Sequence, residues 1–114
     1  MFYEMSSSAD RLDLVFSALA DRTRRKLVTR LAAGEATISE LAEPFEMSFV
    51  AVSKHVRVLE RAGLVKRTID GRVHRCALDA HRLREATAWL ERYRVFWDDK
   101  LARLAAYVES ERDG

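Results

Sequence analysis

The chain has 114 residues, 48% apolar and 33% charged, with one proline, four glycines and one cysteine. That is the length of a single domain, here taken as residues 1–114, with enough apolar material for a core. A lone cysteine excludes an intrachain disulfide framework. No apolar run approaches the ~20 residues that cross a bilayer and no basic-then-apolar leader opens the chain, so no membrane contact and a cytoplasmic location are expected. The net charge of +2 is unevenly spread. Ser48 to Arg75 carries seven Lys/Arg and two acids, an excess of +5, whereas the flanking stretches carry −2 and −1. A basic patch confined to one segment is the electrostatic footprint of a polyanionic partner, although a solvated face can look the same.

Residues 1–9 are mostly polar and are expected to form a disordered tail. Leu12, Val15, Phe16 and Leu19 recur at i, i+3, i+4 and i+7, which predicts an amphipathic helix over Arg11–Leu19 with Asp10 as its N-cap. Asp21 can cap a second helix with an inner face of Leu27, Val28 and Leu31, ending near Gly34. Arg24, Arg25 and Lys26 lie in its first half, where the helix dipole disfavours cations, so they have another use or face water. Thr37-Ile38 is a short extended piece. Ser39 is expected to cap a brief helix from Glu40 to about Phe45, ended or bent by Pro44. Glu46-Met47-Ser48 makes a turn, and Ser48 caps a longer helix from Phe49 to Ala62, stopped by Gly63.

In that helix Val52, Val56 and Leu59 form the apolar stripe, with Phe49 a further candidate for it and His55 at the edge of the other face. The period then changes. Leu64–Ile69 alternates, Asp70-Gly71 is a hairpin signal, and Arg72–Leu78 returns as the second strand. Asp79 caps a final helix over residues 80–109, ~45 Å long at 1.5 Å per residue. Its stripe runs through Leu83, Ala86, Leu90, Tyr93, Trp97, Leu101, Leu104 and Val108.

The fold class expected is therefore mainly α with a small β-hairpin (α+β), a winged helix-turn-helix. A short helix packed across the start of a longer one sets the longer one into the major groove of double-stranded DNA, ~12 Å wide. The DNA-contacting candidates are Ser48, Val50, Ala51, Ser53, Lys54 and His55 toward base edges and Arg57 and Arg61 toward phosphates. Arg67, Arg72 and Arg75 belong to the wing, which positions more than it reads. One small domain cannot cover the whole final helix, so Trp97, Leu101, Leu104 and Val108, joined by Leu12 and Phe16, are expected in a homodimer interface. No nucleophile–base arrangement and no glycine-rich phosphate loop is present, so no enzyme, no catalytic residue and no cofactor is expected.

Ala18-Leu19-Ala20-Asp21-Arg22-Thr23-Arg24-Arg25, Ile38-Ser39-Glu40-Leu41-Ala42, Val52-Ser53-Lys54-His55-Val56 and Leu59-Glu60-Arg61-Ala62-Gly63-Leu64-Val65 together resemble the ArsR/SmtB family of bacterial winged-helix repressors. The resemblance covers roughly Leu12 to Val108. It implies a homodimer joined through its first and last helices, bound to an inverted repeat in a promoter, with repression as the usual outcome. Two positions depart from the pattern: Arg22 stands where the family often has proline, and Cys76 where it often has an aromatic residue.

Many members of the family sense metals. One type carries a cysteine pair after Glu-Leu on the short helix; here Glu40-Leu41-Ala42-Glu43-Pro44 has no thiol. Another uses Asp-x-His early in the last helix with a second pair ten residues on. Asp79-Ala80-His81 matches the first half, but the second half falls on Arg92 and Val95, which cannot ligate zinc. The chain resembles the subgroup without metal ligands, so no metal site is expected. Asp79 reads as a helix cap and Cys76 as a small buried hydrophobe rather than a redox sensor. A protein-binding winged helix without DNA affinity, or a repressor with an unrecognised thiol or metal sensor, are the alternatives. No small-molecule effector is identifiable.

Overall fold

The computed structural model describes residues 8–113, apart from the side chains of Ser8, Trp97 and Asp113. The expected tail falls largely outside the described residues; Ser8 and Ala9 belong to the first helix. Among the described residues five helices and three strands follow in the order α1 (Ser8–Leu19), α2 (Arg22–Ala32), β1 (Ala36–Thr37), α3 (Ile38–Ala42), α4 (Phe49–Arg61), β2 (Val65–Asp70), β3 (Val73–Leu78) and α5 (Ala80–Asp113). The architecture is a winged helix-turn-helix, mainly helical with a small sheet. Two compact units divide within α5, residues 1–84 and 85–114.

In the first unit, helix periodicity decides what is buried. Val15 and Ala18 of α1, Leu27 and Leu31 of α2, Ile38 and Leu41 of α3, and Val52, Val56 and Leu59 of α4 are all buried. Leu64, Val65 and Cys76 complete the core from the sheet side. Burying one such Leu or Val side chain contributes roughly 1.5–3 kcal/mol.

The helix ends are set by side chains. Asp21 caps α2, its carboxylate accepting from the Arg24 backbone N–H at 3.0 Å. Arg24 and Arg25 close the end of α1. Arg24 Nε donates to the Ala18 carbonyl at 2.6 Å, its Nη2 to the Ser17 carbonyl at 3.2 Å, and Arg25 Nη1 to the Leu19 carbonyl at 2.8 Å. The last carbonyls of a helix have no partner within it, so cations there satisfy hydrogen bonds and the α1 dipole together. Two of the three cations misplaced for their own helix, Arg24 and Arg25, thus serve the preceding one.

Several expected boundaries are corrected. Asp10 lies within the first turn of α1, which starts at Ser8. Thr37, not Ser39, caps α3, because Thr37 and Glu40 form a reciprocal capping box that satisfies two backbone donors, each bond 3.1 Å long. The helix then stops at Ala42, before Pro44, and the connection to α4 spans residues 43–48, longer than the three residues expected. The Phe45 N–H donates to the Ala42 carbonyl and the Met47 N–H to the Phe45 carbonyl within it.

Gly63 ends α4 at φ 77. Its N–H donates to the Glu60 carbonyl and the Leu64 N–H to the Leu59 carbonyl, a Schellman closure with Leu59 and Leu64 both buried. A Cβ on Gly63 would lie 2.7 Å from Arg82 Cγ, so conformation and space both favour glycine there.

The sheet order is β1-β3-β2, antiparallel throughout. Asp70 pairs with Val73, so the two loop residues are Gly71 and Arg72, one position later than the Asp70-Gly71 pair expected. Gly71 at φ 60 takes the first loop position, the glycine site of a type II′ turn. β1 pairs only with Arg75 and Cys76, which leaves the outer half of the hairpin two-stranded.

The Arg24 backbone N–H, above all, holds the Asp21 carboxyl below its ordinary value of 3.8. A carboxyl with a depressed folded-state pKa contributes stability that is present above its unfolded value and lost as pH falls through the folded one. Asp21→Ala is expected to cost about 1 kcal/mol at neutral pH, the usual worth of an N-cap. That difference should shrink below pH 3.8. Paired urea melts from pH 7 to pH 3 measure it, and a difference independent of pH would contradict the charged cap.

Candidate nucleic-acid interface

The rotation of α4 decides which of its side chains can meet a partner. With Val52, Val56 and Leu59 inside, the opposite side of the helix, read at 100° per residue, carries Val50, Lys54, Arg57 and Arg61. All four are exposed, Val50 to 61%. Ala51 and Ser53 flank this row and are half-buried. Ser48 is exposed and caps the helix, its hydroxyl accepting from the Ala51 N–H at 3.1 Å.

His55 does not join the row. It sits half-buried on the flank of α4 that meets α2, with Nδ1 3.4 Å from an Arg24 guanidinium nitrogen and 3.9 Å from Asp21 Oδ2. Its step of 300° from the Val52 position turns it back toward α2, so His55, expected at base edges, contacts the start of α2 in this structure.

The inner face of the hairpin, toward α4, holds Val65, Arg67 and Ile69 opposite Leu78, Cys76 and His74. The outer face holds Lys66, Thr68 and Asp70 opposite Ala77, Arg75 and Val73. Arg75 is exposed on that outer face and Arg72 is exposed in the loop. Arg67 is 11% exposed in its side chain and is bound within the protein. Its Nη2 and Nε donate to Glu60 Oε1 at 2.6 and 3.0 Å, and its Nη1 lies 3.0 Å from His74 Nδ1. A guanidinium only donates, so in this contact the acceptor is His74 Nδ1. Arg67, expected as a DNA contact of the wing, makes an ion pair with Glu60 in this structure. Glu60 was not singled out from the sequence, since nothing local marks a helix glutamate as the partner of a strand arginine across a chain reversal.

Between α4 and β2 lies a shallow cleft of about 420 Å³, lined by Arg57, Glu60, Arg61, Arg67 and Ile69. Arg57 and Arg61 give its helix wall positive charge. Ile69, 62% exposed, forms part of the other wall.

Comparison with known proteins picks out a segment that includes α4 and the first part of β2. A helix-turn-helix domain model matches residues 19–68. The chain is 39% identical over 101 residues to the HTH-type transcriptional regulator Rv2034 of Mycobacterium tuberculosis, covering 89% of this chain and 92% of that one. It is 30% identical to the transcriptional repressor SdpR of Bacillus subtilis, covering 67% and 84%. The crystal structure of an ArsR family transcriptional regulator superimposes with a TM-score of 0.75 at 38% identity, covering 82% of this chain and 97% of that one. The chain belongs to the ArsR/SmtB family of winged helix-turn-helix regulators. It is accordingly a DNA-binding transcriptional regulator and not an enzyme.

Asp79, which stands at one of the family's sensor positions, serves as a helix cap. The Asp79 carboxylate accepts from the His81 backbone N–H at 3.1 Å, and Lys66 Nζ stands 3.7 Å away. The His81 N–H, more than Lys66, holds the Asp79 carboxyl below its ordinary range. Among the described residues no three His, Cys, Asp or Glu side chains gather as metal ligands would. No described helix is long and apolar enough to cross a membrane.

The second unit, residues 85–114, is helical and rich in exposed apolar side chains. Leu101, Leu104 and Val108 are 59%, 58% and 51% exposed, and Trp89, Leu90, Tyr93, Phe96 and Tyr107 are exposed on the same broad arc. Phe96 and Tyr107 were not foreseen. The side chain of Trp97 lies outside the described residues. Leu12 and Phe16 of α1 are half-buried.

Cys76 is fully buried, and burial raises its thiol pKa above the ordinary 9.0. A thiol held protonated and out of solvent is a poor nucleophile. Native protein is therefore expected to resist maleimide labelling at pH 7.5 and to label fully in denaturant. Stoichiometric native labelling, read by mass spectrometry, would contradict this environment.

Proposed function

We propose that the protein acts as a homodimeric repressor that inserts α4 into successive major grooves of an inverted-repeat operator. The observation that carries this reading is the exposed row Val50, Lys54, Arg57 and Arg61, set opposite the buried stripe of α4 and beside the α4–wing cleft. The strand that separates a major groove from the next minor groove has to pass between a recognition helix and its wing. Arg57 and Arg61 on the cleft wall suit its phosphates. Val50, Ala51, Ser53 and Lys54 near the start of α4 suit base edges, with Val50 and Ala51 small enough for thymine methyls. Arg72 at the hairpin tip and Arg75 on its outer face suit backbone contacts, which position without specifying. Repression accords with the B. subtilis relative, itself a transcriptional repressor.

The dimer reading rests on the apolar arc of α5. A monomer would leave Leu101, Leu104, Val108 and their aromatic neighbours in water, whereas a twofold partner covers the same patch on both copies. Leu12 and Phe16 are assigned to the same interface. Two recognition helices related by a twofold require half-sites about one or two helical turns apart.

Selection of bound fragments from genomic DNA, followed by sequencing, tests the whole reading; recovery of no inverted repeat would sink it. On the operator found, Arg57→Ala should weaken binding to all sequences alike and reduce the slope of log K against log salt by ~0.9. Loss confined to one base position would instead make Arg57 a reader. Leu104→Asp should convert the dimer to a monomer in analytical ultracentrifugation and weaken operator binding at least tenfold, about 1.4 kcal/mol. A variant that remains dimeric would remove α5 from the interface.

A further inference from the structure

Arg67 has the composition of a phosphate contact and the surroundings of a structural group. Each of its three nitrogens lies within hydrogen-bond distance of a protein acceptor, two on Glu60 of α4 and one on His74 of β3. The guanidinium therefore joins three elements: the recognition helix, β2 and β3. The position is mechanically telling. β1 stops at the Arg75 pair, across from Thr68 and one position past Arg67, so beyond Thr68 the hairpin is only two strands wide. Two strands alone are marginally stable in water. The tip from Ile69 to His74 projects past the core with Ile69 and Val73 exposed, and little apolar packing holds it.

We propose that Glu60, Arg67 and His74 form a brace that sets the wing's distance from α4, with Arg67 acting as a positioning residue and not as a DNA contact. The inference rests on the DNA reading above for its functional consequence. A charge pair with this little exposure is held by geometry: removing one partner leaves the other without compensation in a half-buried place. The brace also explains an acid on the wall of an otherwise cationic cleft. Glu60 lies in the last turn of α4, where the dipole disfavours a carboxylate, and its charge opposes phosphate binding. Neither helix stability nor DNA attraction accounts for it there; the bond to Arg67 does.

The test is Glu60→Ala, a substitution that local helix energetics favour. By charge alone it should tighten DNA binding, since an acid leaves the cleft and Arg67 is freed. The brace requires the opposite sign: operator dissociation constants rising roughly tenfold, the size of one lost charge-assisted hydrogen bond. Arg72→Ala, which weakens the wild type through the hairpin tip, should then add nothing further in the Glu60→Ala background, although the two residues lie on different elements. In the free protein, amide exchange from Thr68 to His74 should accelerate about tenfold while the α2 amides keep wild-type rates, as expected for loss of local rather than global stability. Unchanged or tighter operator binding, additive effects of the two substitutions, or unaltered exchange at the tip would each overturn the brace. If the wild type bound no operator, the DNA reading would fall while the exchange measurement still decided the brace.

Discussion

Burial of Val52, Val56 and Leu59 sets the rotation of α4, and the functional surface depends on that rotation. An α-helix offers one turn per 3.6 residues, so driving three side chains into the core leaves no choice about which residues face out. Val50, Lys54, Arg57 and Arg61 are outward because Val52, Val56 and Leu59 are inward. The Ser48 cap and the Gly63 closure limit the helix to thirteen residues, and Leu59 and Leu64 tie its end to the core. A helix held at both ends and along one side presents its free side rigidly, which is what a reader of base edges needs.

The cations divide into two populations that a charge count treats alike. Arg24 closes α1 and touches His55, while Arg67 joins α4 to the wing. Both are spent on acceptors inside the protein. Lys54, Arg57, Arg61, Arg72 and Arg75 remain exposed. The basic excess between Ser48 and Arg75 is therefore partly scaffold, and the cationic surface left to a polyanion is smaller than the sequence total. A similar division holds for the acids: Asp21 and Asp79 serve as caps, and Glu60 serves the wing.

The two compact units solve different problems. The first unit buries its apolar residues within itself and exposes charge at one helix and one hairpin. The second, a stretch of α5, exposes most of the apolar residues it has. Charge on the surface of the first suits a nucleic acid, and apolar surface on the second suits another protein surface, most economically a second copy.

Much of this fold was legible in the sequence because its signals act over three or four residues. The i, i+3, i+4 stripes, the caps at Asp21, Ser48 and Asp79, the stop at Gly63 and the hairpin near Gly71 are short-range features that neighbouring residues specify. The motif-level resemblance to the ArsR/SmtB family added the winged helix and DNA binding. Thr37 as the α3 cap was legible too, through Glu40 three residues on, but Ser39 competed for the same role with an equally suitable side chain. Tertiary structure alone decided the direction of His55, the engagement of Arg24 with α1 and the pairing of Arg67 with Glu60 and His74. The reason is physical: a cap or a stripe is set by the chain's own local geometry, whereas an ion pair between elements exists only where packing brings two surfaces together. The sequence therefore determined which face of α4 is free, and the tertiary structure decided which arginines remain beside it to be used.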